Sequence, residues 1–218
     1  LDGLREHVAK HGKEQDMLKI HGIARSRAFR CIWAAEEAGQ AYEIIPLGFG
    51  AEHKAAALAV NPNGKVPALQ DGALTMFESL AINLHIAAKA GAPFMPAGDD
   101  GSRVLQWTLW AATEAEPAHQ LWAYNTYVMP AEKRDAAQAK AGVEQLLAKL
   151  KVLEGHLAAG GPWLLGAQFA IADVNLAAVL YGSWFNGFDY AGFPKTKAWL
   201  DACMNRPGAL KARKLREG

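Results

Sequence analysis

The segment of residues 22–27 joins a strand-like run to a helix-like run and contains a serine that could act on an anion. Ser26 falls at the predicted N-cap of the helix, where backbone amides and the helix dipole favour negative charge. A thiol placed there shifts towards its thiolate, and the Ser26 hydroxyl could donate a hydrogen bond to it. Serine is also a favoured N-cap in its own right, so the residue alone leaves both interpretations open. The segment is not a glycine-rich phosphate loop, which argues against a nucleotide as the ligand.

Two further motifs could bind a ligand with an α-amino acid end. Pro67 stands at the start of a predicted strand, and the sequence does not decide whether the Val66-Pro67 bond is cis. In a cis arrangement the backbone N–H and C=O of Val66 would face a ligand, whereas the alternative is an ordinary proline at a strand edge. Glu78 and Ser79 directly precede a predicted helix, so Ser79 could bind a carboxylate and Glu78 an ammonium group. The alternative is an N-cap beside a surface acid.

Two kinds of periodicity divide the chain near residue 92. Before it, the pattern predicts the order βαβ, α, ββα, with strands at 17–21, 42–47, 66–70 and 74–77 and helices at 27–38, 52–60 and 80–90. Residues 92–101 are rich in Gly, Pro and Asp and are predicted to be a linker. Only helical patterns follow, at 102–128 with a bend at Pro117, and at 131–156, 171–185 and 195–204. We therefore expect an N-terminal extension over 1–16, an α/β domain over 17–91 and an all-helical domain over 102–218.

The composition excludes several function classes. The 218 residues carry 23 Lys+Arg against 22 Asp+Glu, and a net charge of +1 gives no overall attraction to nucleic acid or an anionic membrane. The two cysteines, Cys31 and Cys203, lack a metal-binding spacing and fit a reducing, cytoplasmic compartment. No apolar run is long enough to span a membrane, and residues 1–16 lack the apolar core of a secretory signal. We expect no metal, no nucleic acid and no membrane partner.

Several motifs, in their order and spacing, resemble the cytosolic glutathione transferases, and in particular their serine-type, theta-like bacterial members. The resemblance spans residues 17–212. It rests on a Ser-Arg turn before a helix that ends in Glu36-Glu37-Ala38-Gly39, on His53, on Asn61-Pro62-Asn63-Gly64-Lys65-Val66-Pro67, on Glu78-Ser79, and on the segments 169–173 and 199–207. It implies a thioredoxin-like α/β N-terminal domain and an all-α C-terminal domain.

The resemblance also implies a glutathione site in the first domain. Pro67 would be cis, and the backbone of Val66 would pair with the cysteinyl part of glutathione. Glu78 and Ser79 would hold the γ-glutamyl end, and His53 and Lys65 would neutralise the glycyl carboxylate, although both could equally be ordinary solvated charges. Ser26 would stabilise the thiolate, with His21 and the nearby backbone amides as alternatives. Cys31 lies one turn inside the helix, and we expect it to be a buried structural residue.

The helical domain would supply a hydrophobic pocket for the second substrate. Its candidate residues are Trp107, Trp110, Glu114 and Tyr124. The alternative for each tryptophan is packing in the core or at a subunit contact. Glu114, on an otherwise apolar stripe, needs a partner or water.

The function implied is conjugation of glutathione to a hydrophobic electrophile by a cytoplasmic homodimer that uses neither metal nor nucleotide. The alternatives are a non-enzymatic glutathione- or ligand-binding member of the same fold and a glutathione-dependent peroxidase. A third alternative, a dimerisation scaffold, has no need of Lys65, Val66-Pro67, Glu78 and Ser79. The sequence does not specify the electrophile, because conjugation, peroxide reduction, dehalogenation and isomerisation all begin with the same activated thiolate.

Overall fold

The computed structural model describes residues 17–218, so the predicted extension over 1–16 lies outside the described residues. The contacts divide the chain into two compact units. Unit 1 holds the described residues up to Ala90 together with Pro207–Gly218, and unit 2 holds Gly91–Arg206. The sequence places the second boundary differently, because it assigns the whole of 102–218 to the helical domain. The last helix groups with unit 1.

Unit 1 is built on a four-stranded sheet with the order β2-β1-β3-β4. Its strands are β1 (Leu18–His21), β2 (Tyr42–Ile45), β3 (Ala68–Asp71) and β4 (Leu74–Phe77). β1 runs parallel to β2 and antiparallel to β3, and the tight turn after Asp71 pairs β3 with β4 as the hairpin that the sequence predicts. Leu18 and Ile20 are fully buried while Lys19 between them is exposed, as the period of two requires. The thioredoxin-like expectation for this half of the chain is confirmed.

In the described part of unit 1, four helices accompany this sheet: α1 (Ala28–Ala38), α2 (Lys54–Val60), α3 (Ser79–Ala90) and α9 (Pro207–Glu217). α1 ends at Gly39, which adopts φ 63°, so the predicted stop is confirmed. α1 packs against both α3 and α9. α9 is absent from the helices that the sequence predicts. Its Lys- and Arg-rich sequence buries only Gly208, Ala209 and Ala212, which is too small an apolar stripe to stand out as a pattern.

Unit 2 is helical throughout its regular elements. α4 (Gly98–Trp110) begins inside the predicted linker and is followed by α5 (Glu116–Ala123), α6 (Ala136–Gly160), α7 (Ile171–Phe185) and α8 (Pro194–Met204). α7 is buried continuously over residues 171–181 and contacts α4, α5 and α8. It therefore forms the centre of this unit.

Two predicted boundaries in unit 2 change for local reasons. The stretch 102–128 is interrupted by a π-helical turn at Ala111–Ala115, just before Pro117. Proline has no N–H to donate to the carbonyl four residues earlier, which favours a wider turn at this point. α6 begins at Ala136 rather than at 131, because the Asp135 carboxylate accepts hydrogen bonds from the amides of Ala137 and Gln138. Among residues 17–218, no helix is both long and apolar enough to cross a membrane.

Candidate active site

Ser26 is buried in the loop between β1 and α1. Its hydroxyl donates to the carbonyl of Ile23 at 2.7 Å and accepts from the amide of Ala28 at 3.0 Å. The N-cap of α1 is Arg27, so the prediction that Ser26 is the N-cap residue is wrong by one position. Ser26 still satisfies the first amide of the helix. To donate to a thiolate, its single hydroxyl proton must rotate away from Ile23.

Gly22 keeps two candidate residues close to each other. It adopts φ 143°, and a Cβ at this position would lie 3.4 Å from Ser26 Oγ, 3.4 Å from Val66 Cβ and only 2.8 Å from Ala28 Cβ. Any side chain would therefore intrude between Ser26 and Val66. The pairing of His21 with Ala68 aligns β1 with β3 next to this point. Only a glycine lets the Ser26 loop and the segment before β3 approach so closely.

The Val66-Pro67 peptide bond is cis, as the resemblance implies. The preceding turn is fixed by Asn61, whose side-chain amide donates to the Lys65 carbonyl at 2.7 Å. Its carbonyl oxygen accepts the amide of Asn63 at 2.9 Å. Pro67 is buried and Val66 is half-buried. This geometry holds the Val66 backbone in one conformation beside the Ser26 loop.

Glu78 adopts a left-handed conformation at φ 72°, alone among the described residues other than glycine. Such a conformation costs about 1–3 kcal/mol and persists where the surroundings require it, often at ligand sites. The Glu78 carbonyl accepts the amide of Ile82 at 2.9 Å, so Glu78 rather than Ser79 is at the N-cap position of α3. Ser79 is buried as the first helical residue, and its hydroxyl accepts from Arg30 Nη1 at 3.2 Å.

Arg30 is a residue that the sequence analysis did not identify. It is buried in α1, four positions after Ser26, and it connects α1 to the start of α3. The sequence did contain a signal for this residue, namely a basic side chain among the apolar residues of α1. A buried arginine needs hydrogen-bond acceptors that an apolar core does not supply.

His53 and Lys65 both lie in unit 1 with access to solvent. His53 is in a 3₁₀ turn (Ala51–His53), with its Nε2 3.5 Å from the Glu52 carboxylate, and it packs against Gly48. Lys65 is exposed directly before the cis peptide bond. Either side chain could meet a carboxylate, and their role remains a prediction.

His21, the alternative to Ser26, and Cys31 are both buried. Nε2 of His21 lies 2.8 Å from the Gln70 side-chain oxygen on β3, and the role of His21 towards a thiolate stays a prediction. Burial raises the pKa of the Cys31 thiol well above its usual range, and the Arg30 charge only partly opposes this. Cys31 is therefore a buried structural thiol, as expected.

The proposed pocket residues of unit 2 differ in exposure. Trp107 is buried, with its ring centroid 4.6 Å from that of His156 and 5.3 Å from that of Trp110. Trp107 is thus part of the core of unit 2. Glu114 has the partner that its position requires, since Lys149 Nζ lies 2.5 Å from its carboxylate. Tyr124 is 48% exposed in the π-helical turn at Tyr124–Val128. Within residues 17–218, no group of three or more His, Cys, Asp or Glu side chains could hold a metal ion.

Both halves of the chain match family models. The model of the glutathione S-transferase N-terminal domain matches residues 17–88, and that of the C-terminal domain matches residues 119–207. The chain belongs to the glutathione S-transferase family. The resemblance to the glutathione transferase family is confirmed, and the fold of this glutathione S-transferase is the one it implies. The serine-type, theta-like subclass stays a prediction.

Named relatives extend the match along most of the chain. A probable glutathione S-transferase of Oryza sativa is 32% identical over 208 residues, covering 91% of this chain and 96% of the relative. The glutathione S-transferase GstB of Escherichia coli is 31% identical over 182 residues, covering 81% and 87% of the two chains. This glutathione S-transferase is therefore an enzyme of the transferase class.

Solved structures show the same fold with ligands. The theta class enzyme of Xanthomonas axonopodis pv. citri with glutathione bound is 32% identical at a TM-score of 0.81, covering 89% of this chain and 96% of that one. The maize glutathione S-transferase I in complex with an atrazine glutathione conjugate is 30% identical at a TM-score of 0.81, covering 92% and 98%.

Proposed function

We propose that this glutathione S-transferase binds reduced glutathione in unit 1, stabilises its thiolate at Ser26 and joins the whole glutathione through its sulfur to a hydrophobic electrophile. The observation that carries the proposal is the buried Ser26 hydroxyl beside the first amide of α1, with Val66 adjacent across Gly22. The thiol proton leaves to solvent, and the thiolate electron pair forms a C–S bond. A leaving group then departs with its bonding electrons, or an added carbanion takes up a proton.

Thiolate formation is the step that needs the protein. A free thiol has a pKa of about 8.5 and is mostly protonated at neutral pH. A hydrogen bond to a charged group contributes about 1.5–3 kcal/mol, which corresponds to a pKa decrease of roughly one to two units. The start of α1 adds a favourable dipole. Together these effects are enough to make the bound thiol substantially ionised at pH 7.

Glutathione itself would be held by the residues that unit 1 positions around Ser26. The Val66 backbone would pair with the cysteinyl peptide group, and Glu78 with Ser79 would bind the γ-glutamyl end. Support comes from the close approach of Val66 to Ser26 across Gly22 and from the left-handed backbone of Glu78, a conformation often found at ligand sites. His53 and Lys65 would meet the glycyl carboxylate. The glutathione bound in the Xanthomonas relative supports the same ligand here.

A hydrophobic aromatic or heteroaromatic compound is the electrophile class we propose. The maize relative was solved with a glutathione conjugate of atrazine, a heteroaromatic molecule. Of the four predicted pocket residues, the half-buried Trp110 and the exposed Tyr124 are better placed to meet a substrate than the buried Trp107.

Homodimer formation and a cytoplasmic location also remain predictions. Light scattering of the purified protein measures the first.

The decisive experiment is the ultraviolet difference spectrum of bound glutathione, titrated with pH. Wild type is compared with Ser26→Ala, with His21→Asn and with a matched control, Ser183→Ala. Ser183 is a buried serine of unit 2 whose hydroxyl also bonds the carbonyl three residues earlier, at 2.7 Å. We expect a thiolate band well below the pKa of the free thiol in wild type, His21→Asn and Ser183→Ala. In Ser26→Ala it should move up by about one to two pH units.

The other outcomes distinguish the alternatives. A low thiol pKa that Ser26→Ala leaves unchanged would transfer the role to backbone amides, or to His21 if His21→Asn raises it. Saturable binding with no thiolate band would indicate a non-enzymatic relative. A normal thiolate with turnover of an organic hydroperoxide but none of a chlorodinitrobenzene would favour the peroxidase.

A further inference from the structure

We propose that Arg216, in the last turn of α9, is a positioning residue for the loop that carries Ser26. It fixes the backbone of that loop and adds a positive charge that favours the bound thiolate. The proposal rests on the proposed function in one respect, since the thiolate is the species that the charge stabilises. The contacts themselves all lie within unit 1.

The direction of α9 brings Arg216 to the start of α1. At one end of α9, the Gly208 backbone lies against Glu37 near the end of α1, where a Cβ would come within 2.9 Å of the carboxyl carbon. One turn later, Lys211 Nζ lies 2.9 Å from the carboxylate of Glu36. At the other end, the Arg216 guanidinium lies 5.3 Å from the ring centroid of Phe29, in the first turn of α1. The two helices therefore run antiparallel, and the last turn of α9 meets the reactive loop.

Arg216 binds the loop through two backbone carbonyls. Its Nη1 donates to the carbonyl of Ala24 at 2.9 Å and to that of Ser26 at 3.1 Å. These carbonyls lie on either side of Arg25, so one guanidinium fixes the backbone immediately before and at the catalytic candidate. We call these two bonds the Arg216 clamp. The same Ser26 carbonyl accepts the Phe29 amide at 3.3 Å, which connects the clamp to the first turn of α1. Both bonds come from one nitrogen, whose two N–H groups have fixed directions in the plane of the guanidinium.

The positive charge of Arg216 and its hydrogen bonds to the loop both favour the bound thiolate. A guanidinium is ionised at every pH that the enzyme experiences. Its Nη1 is held at the loop by the two carbonyl bonds, which fixes where this charge lies. A cation near the Ser26 backbone lowers the energy of an anion bound beside the Ser26 hydroxyl.

The test measures the pKa of bound glutathione in Arg216→Met, Arg216→Lys and a matched control, Lys214→Met. Methionine keeps the apolar packing against Phe29 and removes both the charge and the hydrogen bonds. Lys214 is an exposed residue of the same helix turn, so Lys214→Met makes the same change in net charge away from the loop. We expect Arg216→Met to raise the thiol pKa by about half a unit or more and to lower kcat about 3- to 10-fold at pH 6.5, with a smaller change in the KM for glutathione. Arg216→Lys should restore at least half of the pKa change, and Lys214→Met should match wild type.

Amide hydrogen exchange at Ser26 and Ala28 supplies a readout independent of thiolate formation, and it should accelerate in Arg216→Met. The proposal is overturned if Arg216→Met leaves both the thiol pKa and this exchange at wild-type values, or if Lys214→Met shifts the pKa equally. If Arg216→Met raises the pKa while Ser26→Ala does not, the clamp stands and the assignment of Ser26 fails. The reverse pattern, together with unchanged amide exchange in Arg216→Met, keeps Ser26 and rejects the clamp. Should Arg216→Met fail to fold, Arg216→Gln decides by the same measurements.

Discussion

Replacing Asp173 with alanine should destabilise unit 2 more than any ordinary surface change. Asp173 is fully buried in the first turn of α7. Its Oδ1 accepts the amide of Leu164 at 2.9 Å and the indole N–H of Trp199 at 2.8 Å, and its Oδ2 accepts the amide of Ala170 at 2.9 Å. One carboxylate thus joins a loop, the start of α7 and a side chain of α8. Asp173→Ala leaves three buried donors without acceptors.

The expected loss is about 3–5 kcal/mol in the free energy of unfolding at pH 7. Each unsatisfied buried donor costs roughly 1–3 kcal/mol, and removal of a buried charge returns part of the total. Burial raises the pKa of Asp173 to about 6, opposed by the bonds from Leu164, Trp199 and Ala170 and by the charge of Arg206. Because this pKa lies above the unfolded value, the folded chain binds the extra proton between about pH 4 and 6. Stability from this group is therefore present at the acid end and falls by up to about 3 kcal/mol as pH rises through that window.

Urea unfolding of wild type and Asp173→Ala, followed by tryptophan fluorescence and circular dichroism at pH 4.5 and 7, tests both statements. The matched control is Asp189→Ala, because Asp189 is exposed and accepts one backbone amide, that of Ala191 at 2.8 Å. We expect that control to lose about 1 kcal/mol or less. The stability difference between wild type and Asp173→Ala should be larger at pH 4.5 than at pH 7. If Asp173→Ala loses no more free energy of unfolding than Asp189→Ala does, the argument that three buried donors lose their acceptor is refuted.

Two other predictions follow from unit 1. Gly22→Ala should lower the free energy of unfolding by about 2–4 kcal/mol and weaken glutathione binding, because the new Cβ meets Ala28 at 2.8 Å in a backbone conformation that alanine avoids. Chemical denaturation measures the loss of stability, and calorimetric titration measures the loss of binding. Unchanged binding would contradict the close approach of Ser26 and Val66 at Gly22. Burial alone would raise the pKa of Asp71, but hydrogen bonds from Lys89 and His85 outweigh it and hold that pKa below its usual range. Its stabilising contribution is thus present above the ordinary carboxyl pKa and is lost as pH falls through the lowered value. Lys89→Met should flatten this acid dependence in urea midpoints, and an identical pH profile would show that the ion pair contributes nothing.

The proposed mechanism depends on a hydroxyl that already has a partner. Ser26 donates to Ile23, so the bound thiolate must compete with a neutral carbonyl for the same proton. A charged acceptor forms the stronger bond, which favours the thiolate once glutathione is present. The Arg216 clamp complements this exchange, because it holds the backbone at Ala24 and Ser26 while the hydroxyl rotates.

The sequence by itself determined the local elements and the motifs. The hairpin turn after Asp71 and the end of α1 at Gly39 follow from chain neighbours alone, because glycine accepts the positive φ that each turn requires. Burial of Cys31 could also be predicted, since it lies one turn inside α1 and not at its N-terminus. The motifs around Ser26, Pro67 and Glu78 were sufficient to indicate the family. In each case the deciding interaction spans a few residues.

Only the tertiary structure decided which distant groups meet. Nothing local to Glu114 selects Lys149 as its partner, and nothing in α7 selects the indole of Trp199 as a donor to Asp173. The contact between Arg216 and Ser26 joins residues separated by 190 positions. Such contacts depend on how helices pack against each other. The packing energy depends on two complementary surfaces, whereas the periodicity of a sequence describes the surface of one helix at a time. The sequence therefore offers Ser26 as a candidate, and the fold brings Arg216 to the backbone of the loop that carries it.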